Sequence, residues 1–159
     1  GNYYVDGDND KYNSSFTNLM IESNFINLND ICEEIDSKEN ESILLCGLDT
    51  NYSNLDFIDE GISNKDYSYK ILVTHYPDYI NEVLDYSFNL VLSGHSYNGQ
   101  IKLPFVNGLI KRNHASKYYN EHYIVNNTNL YISGGLGTDN INIRFLNKPS
   151  FNLYRLVDK

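Results

Sequence analysis

The 159-residue chain is short of three things: cysteine, positive charge and long apolar runs. Its two cysteines, Cys32 and Cys46, form no C-x-x-C pair, so the sequence supports no zinc knuckle. A disulfide between them stays open on sequence alone. The expectation is two free, partly buried thiols in a reducing compartment. Lysine and arginine number 12 against 21 acidic residues, for a net charge of −9. Lys111-Arg112 is the sole adjacent basic pair, and no basic stripe exists to neutralise phosphates. The composition therefore argues against a dedicated nucleic-acid partner. No apolar stretch approaches the roughly 18 residues that cross a bilayer, and no secretory leader is recognisable.

What remains is ordinary for a globular protein, with 41% hydrophobic and 21% charged residues. A chain of this length can form one domain that buries roughly 68–70% of its unfolded surface. No repeat or linker divides it, and residues 1–159 are read as a single domain.

The hydrophobic pattern changes character halfway along. Residues 1–10 read as a polar loop, and Ser14 or Ser15 is placed to cap a helix over Phe16, Leu19, Met20 and Ile21. Residues 25–28 and 31–32 read as short strands, 37–40 as a polar turn, and 43–46 as a buried strand closed by Gly47. A helix over 55–62, a strand over 70–74, a helix over 78–84 and a strand over 89–93 follow. That alternation predicts an α/β layer with parallel or mixed pairing. After Gly99, residues 101–103, 122–125, 130–133, 141–145 and 151–156 read as strands without long helices between them, an antiparallel meander.

Two histidines stand where strands run out into loops. His75 follows Ile71-Leu72-Val73 and precedes Pro77, and His95 follows Leu90-Val91-Leu92 beside Gly94. Strand ends are rigid supports, so two imidazoles carried there are placed to converge on one metal ion. Other candidates read as structural. Asp6-Gly7-Asp8-Asn9-Asp10 resembles an EF-hand start, but Thr17 stands where the bidentate glutamate belongs, so it is taken as a solvated loop. His114 and His122 read as ordinary surface or half-buried histidines. GGLGT (134–138) reads as a tight turn, since no helix follows to supply a dipole for phosphate. The 15 tyrosines are dispersed and read as packing residues.

Taken together, four segments resemble the calcineurin-like metallophosphoesterases, in particular their small bacterial phosphodiesterase branch. Gly1-Asn2 stands at the family's GNH[DE] loop, and ILVTHYPD (71–78) is similar to its strand-His-x-Pro-Asp segment. NLVLSGHSYNGQIKLP (89–104) resembles the GHxH-[GN]-G-Q segment, and YISGGLGTDNINIRFLNKPSFNLYRL (131–156) the closing strands. The resemblance implies an α/β/β/α sandwich with a dinuclear centre, normally two divalent ions such as Mn, Fe or Zn. Asn2, His75 and His95 match ligands of the second metal. The implied function is hydrolysis of a phosphodiester or phosphomonoester by a metal-activated water. The alternative is a catalytically degenerate binding or interaction module.

Three departures bear on that alternative. The Asp-x-His and Gly-Asp-x-x-Asp motifs of the first metal are absent, Tyr97 replaces the second histidine of GHxH, and Tyr3 replaces the histidine of GNH. A phenol with a reference pKa of about 10 is a poor acid at neutral pH. The expectation is that this chain is the C-terminal part of such a domain, inactive alone and carrying only the second-metal half of the site. The remaining expectations are a phosphoester substrate, a cytoplasmic or membrane-associated whole protein, and self-association through the apolar strands 43–46, 70–74 and 89–93.

Overall fold

In the computed structural model, residues 1–36, 41–63, 65–105, 111–139 and 141–157 are described. The polar turn expected at 37–40 lies outside them. A six-stranded mixed sheet organises the chain, built from β3 (Ile31–Asp36), β4 (Ser42–Leu48), β5 (Tyr69–Thr74), β6 (Leu90–Ser93), β7 (His122–Val125) and β8 (Thr128–Ile132). Its order is β3-β4-β5-β6-β8-β7. The four central strands run parallel, and the two edge strands are antiparallel to their neighbours. The fold is thus mixed α/β, as the alternating pattern predicted.

The central strands carry continuous apolar runs, and neither face of the sheet is fully open: helices cover one, and the other is half-buried. On that face Leu44, Cys46, Leu48, Leu72, Val91, Leu130 and Ile132 are buried. They pack with Ile58 of α2 (Asp56–Ser63) and with Ile80 and Val83 of the segment that follows β5. Ile43, Ile71, Val73 and Leu92 alternate onto the opposite face and are half-buried. At the outer edge Glu33, Glu34 and Asp36 of β3 are exposed, a charged edge that discourages strand addition.

Several expectations need correction. Residues 2–4 are not loop: β1 (Asn2–Tyr4) pairs in parallel with β2 (Phe25–Asn27) as a separate two-stranded ribbon. α1 (Ser14–Glu22) is capped by Asn13 rather than Ser14 or Ser15, since the Asn13 carboxamide accepts from both Ser15 N (3.1 Å) and Phe16 N (3.2 Å). The predicted helix at 78–84 is two 3-10 segments, Pro77–Glu82 and Leu84–Tyr86, separated at Val83.

The antiparallel meander shrinks to the β7–β8 hairpin, and β8 joins the main sheet by pairing in parallel with β6. Residues 101–103 and 141–145 share one bridge, Ile101 to Phe145, and 151–156 form no strand. Side chains have taken the backbone groups that a ladder would use. The Gln100 amide nitrogen lies 2.7–3.2 Å from the carbonyls of Asp139, Ile141 and Ile143, and Arg144 donates to those of Gly134, Gly135 and Gly137. GGLGT, expected as a tight turn between strands, is an irregular segment with a bend at Leu136, held by a guanidinium, and no strand follows it among the described residues.

The cysteines expected to be free form a disulfide. The reason is register: Cys32 of β3 and Cys46 of β4 are directly opposed in an antiparallel pair, with Cα atoms 4.0 Å apart. Gly61 of α2 lies against this bridge, where an added Cβ would stand 2.8 Å from that of Cys32. Cross-linking residues 14 apart removes loop entropy from the unfolded chain worth about 3 kcal/mol. Replacing both cysteines by alanine should lower unfolding free energy by about that amount in denaturant titrations, with the same loss in wild type under reductant.

Candidate metal centre

The site forms where β5 and β6 end side by side. Val73 and Leu92 are paired, so the chains leave the sheet together and deliver His75 and His95 to one point. Their rings lie 4.9 Å apart, with His75 Nε2 3.1 Å from His95 Nδ1. The loop that carries His95 is unusual. His95, Tyr97, Asn98, Gly99 and Gln100 all have positive φ, between 47° and 76°. For non-glycine residues this conformation costs roughly 1–2 kcal/mol each, so tertiary contacts must hold it. Gln100 is the main clamp. It is 2% exposed, its amide nitrogen takes the three carbonyls named above, and its Oε1 accepts from Asp139 N (3.2 Å). Ser96 Oγ accepts from Asn98 N and donates to Tyr119 O, while the Asn147 amide donates to Tyr97 O (2.6 Å).

The third side chain at the histidines is Asp8, which the sequence reading left in a solvated loop. Its carboxylate approaches His95 Nδ1 at 3.2 Å and His75 Nε2 at 3.6 Å. The loop is built rather than solvated. Asp6 is buried and exchanges two hydrogen bonds with Asn29, and Gly7 N donates to Asp10 Oδ2. Lys11 pairs with the buried Asp49 at 2.5 Å. Gly7 is required by contact, since an added Cβ would come within 3.0 Å of the His75 ring.

A second loop closes the site from the other side. His95 Nε2 lies 2.9 Å from the Asn113 carbonyl. A carbonyl only accepts, so Nε2 carries the proton and Nδ1 turns a lone pair inward. Asp78 fastens this loop: its carboxylate accepts from Ser116 N, Ser116 Oγ, Lys117 N and Tyr118 N, and its own N–H donates to His114 O. His114, expected to be a surface or half-buried histidine, is exposed and stacks flat on Tyr76 at 4.4 Å, and Tyr76 lies edge-on to His95 at 4.7 Å. Tyr79 and Tyr52 extend this aromatic wall, so the tyrosines are less dispersed than they read. His122 is an exposed residue bonded to Asn129, as expected.

Asn2 is exposed on β1, paired with Phe25, and Tyr3 is half-buried beside it. The Tyr97 ring faces two guanidinium carbons, Arg112 at 5.0 Å and Arg144 at 5.7 Å.

Among the described residues, Asp8, His75 and His95 form the one His/Cys/Asp/Glu group able to hold a metal ion, each offering a ligand atom within 4.8 Å of the others. The spacing fits. Two ligands at 2.0–2.1 Å from a tetrahedral zinc stand about 3.3 Å apart. Imidazole and carboxylate suit Mn, Fe or Zn. Protonation favours the same outcome. Burial, then the nearby His95, push the His75 pKa down from 6.5 to about 4, and burial also lowers that of His95. Both imidazoles are therefore neutral at pH 7. Burial and a hydrogen bond to Asp8 hold the Tyr76 hydroxyl protonated.

Two outcomes follow. Between pH 6.5 and 4 the unfolded chain binds a proton at His75 that the folded chain refuses, so metal-free stability should fall as pH drops through that window. Thermal melts of wild type and His75→Gln should show the slope flattened in the variant. Gln100→Ala should cost about 2–4 kcal/mol, because it empties a buried site, removes the amide that holds four backbone groups and releases the strained loop.

The chain is similar to two proteins of Bacillus subtilis (strain 168). It is 37% identical over 91 residues to the uncharacterized metallophosphoesterase YkuE, a match covering 57% of this chain and 32% of that protein. It is 31% identical over 93 residues to the uncharacterized metallophosphoesterase YkoQ, covering 55% and 33%. The chain thus spans about a third of the length of these relatives. No family model matches it, and no solved structure matches it significantly. No helix among the described residues is long and apolar enough to cross a membrane. The chain thus carries two histidines on adjoining strand ends and is similar, over 91 residues, to a curated metallophosphoesterase.

Proposed function

We propose that the whole protein is a metal-dependent phosphoesterase and that this chain carries one metal's ligands. The observation that carries the reading is the convergence of His75 Nε2, His95 Nδ1 and the Asp8 carboxylate at separations of 3.1–3.6 Å. His75 and His95 are the imidazole ligands and Asp8 the third donor. Asn2, from the sequence, is the candidate for a fourth. A bound divalent ion would supply Lewis-acid activation of water and of a phosphoryl oxygen.

The protein's own groups do the rest. The Asn113 carbonyl fixes the His95 tautomer, Tyr76 orients Asp8, and Asp78 keeps the closing loop in place. The substrate is a phosphodiester or phosphomonoester in this reading. One observation favours the alternative of a non-catalytic module: the Tyr97 ring, at the position of the second histidine of GHxH, lies against the guanidiniums of Arg112 and Arg144.

Calorimetric titration with Zn²⁺ or Mn²⁺ should show one ion bound per chain, with His95→Ala or Asp8→Ala weakening it at least on the order of tenfold. The full-length protein should hydrolyse bis(p-nitrophenyl) phosphate only with metal, while the 159-residue chain alone shows no significant turnover. Metal binding by the full-length protein without hydrolysis of any phosphoester would favour the module.

A further inference from the structure

We propose that Arg112 is the anion anchor of this site, binding a non-bridging phosphoryl oxygen beside the metal position. The inference rests on the metallophosphoesterase reading and names a residue that the reading does not use. Asp8, Tyr76, His95, Lys111, Arg112 and Asp139 line one open cleft of about 550 Å³. Its two carboxylates and two side-chain cations balance, so a divalent ion would leave two positive charges in surplus. That surplus suits a phosphoryl group, and a guanidinium offers it paired N–H donors.

Arg112 is held rather than free. Its Nη2 pairs with the Asp139 carboxylate, its plane lies over the Tyr97 ring at 5.0 Å, and its side chain is only 18% exposed. Both ends of that arrangement tie back to the metal loop. Gln100 grips the Asp139 backbone through its N–H and carbonyl, and Asn113, the residue after Arg112, gives its carbonyl to His95. The guanidinium and His95 are therefore fixed in one frame. A cation fixed before the ligand arrives loses little freedom on binding, which is the condition for a strong anchor. Asp139 pairs with one guanidinium nitrogen, Nη2, and a guanidinium carries five N–H donors in all, enough in kind for a second anion. Lys111 is exposed, with its ammonium 4.8 Å from the Tyr119 ring, and serves as the weaker outer charge.

The test is orthophosphate binding to the 159-residue chain with and without one equivalent of Mn²⁺, read by calorimetry and by Mn²⁺-induced relaxation of the ³¹P signal. Wild type should bind phosphate more tightly with the metal. Arg112→Gln should weaken phosphate on the order of tenfold while leaving Mn²⁺ affinity within about threefold, and Arg112→Lys should fall between. Thermal melts check folding, and Arg112→Lys decides if the glutamine variant does not fold. Unchanged phosphate affinity in a folded Arg112 variant overturns the proposal, as does a wild-type chain that binds no phosphate. If wild type takes up no metal yet binds phosphate through Arg112, the anchor stands and the metallophosphoesterase reading falls.

Discussion

The buried amide of Gln100 is the contact on which the candidate site depends. It sits at the end of a loop in which four non-glycine residues adopt left-handed backbone conformations, an arrangement that would relax without outside support. Gln100 supplies that support across 39–43 residues of chain, with its amide nitrogen at hydrogen-bonding distance from the carbonyls of Asp139, Ile141 and Ile143. The same contact prevents the C-terminal segment from forming a ladder and positions Asp139 for Arg112. One side chain therefore sets the backbone of His95, the path of the following segment and the cationic wall of the cleft.

The site itself illustrates how burial prepares a metal centre. Two imidazoles 3.1 Å apart would repel if protonated, and partial burial keeps them neutral with lone pairs available. The negative charge of Asp8 opposes this by favouring protonated histidines, and burial outweighs it. A divalent ion would relieve both tensions, since it accepts the imidazole lone pairs and balances the carboxylate. The tautomer is set from outside by a backbone carbonyl, so the contacts at Asn113 and Asp78 help to orient the ligands.

The histidine positions and the central α/β alternation were legible in the chain. Short apolar runs such as Ile43-Leu44-Leu45-Cys46, bounded by turn residues, are consistent with buried strands, and a histidine after such a run then stands at a strand end. The Pro77-Asp78 and Gly99-Gln100 pairs stood out by similarity to a family, although their physical work, clamping two loops, became visible only in three dimensions. Asp8 carried no such mark. Nothing local distinguishes it from Asp6 or Asp10, and the D-x-D-x-D spacing pointed toward a different metal motif that the chain does not complete.

By itself the sequence determined which segments are apolar enough to form the sheet, and which histidines leave it. Those properties are local: they depend on side-chain period and on the residues flanking each run. The tertiary structure decided what was long-range. Cys32 and Cys46 became a disulfide because the β3–β4 register opposes them, and residues 141–145 stayed out of a ladder because Gln100 and Arg144 took their neighbourhood's carbonyls. Asp8 reached the histidines because Asn29 and Asp49 draw its loop across the ends of the strands. Such contacts join residues tens of positions apart, and pairing at that distance depends on register and packing that no local pattern encodes.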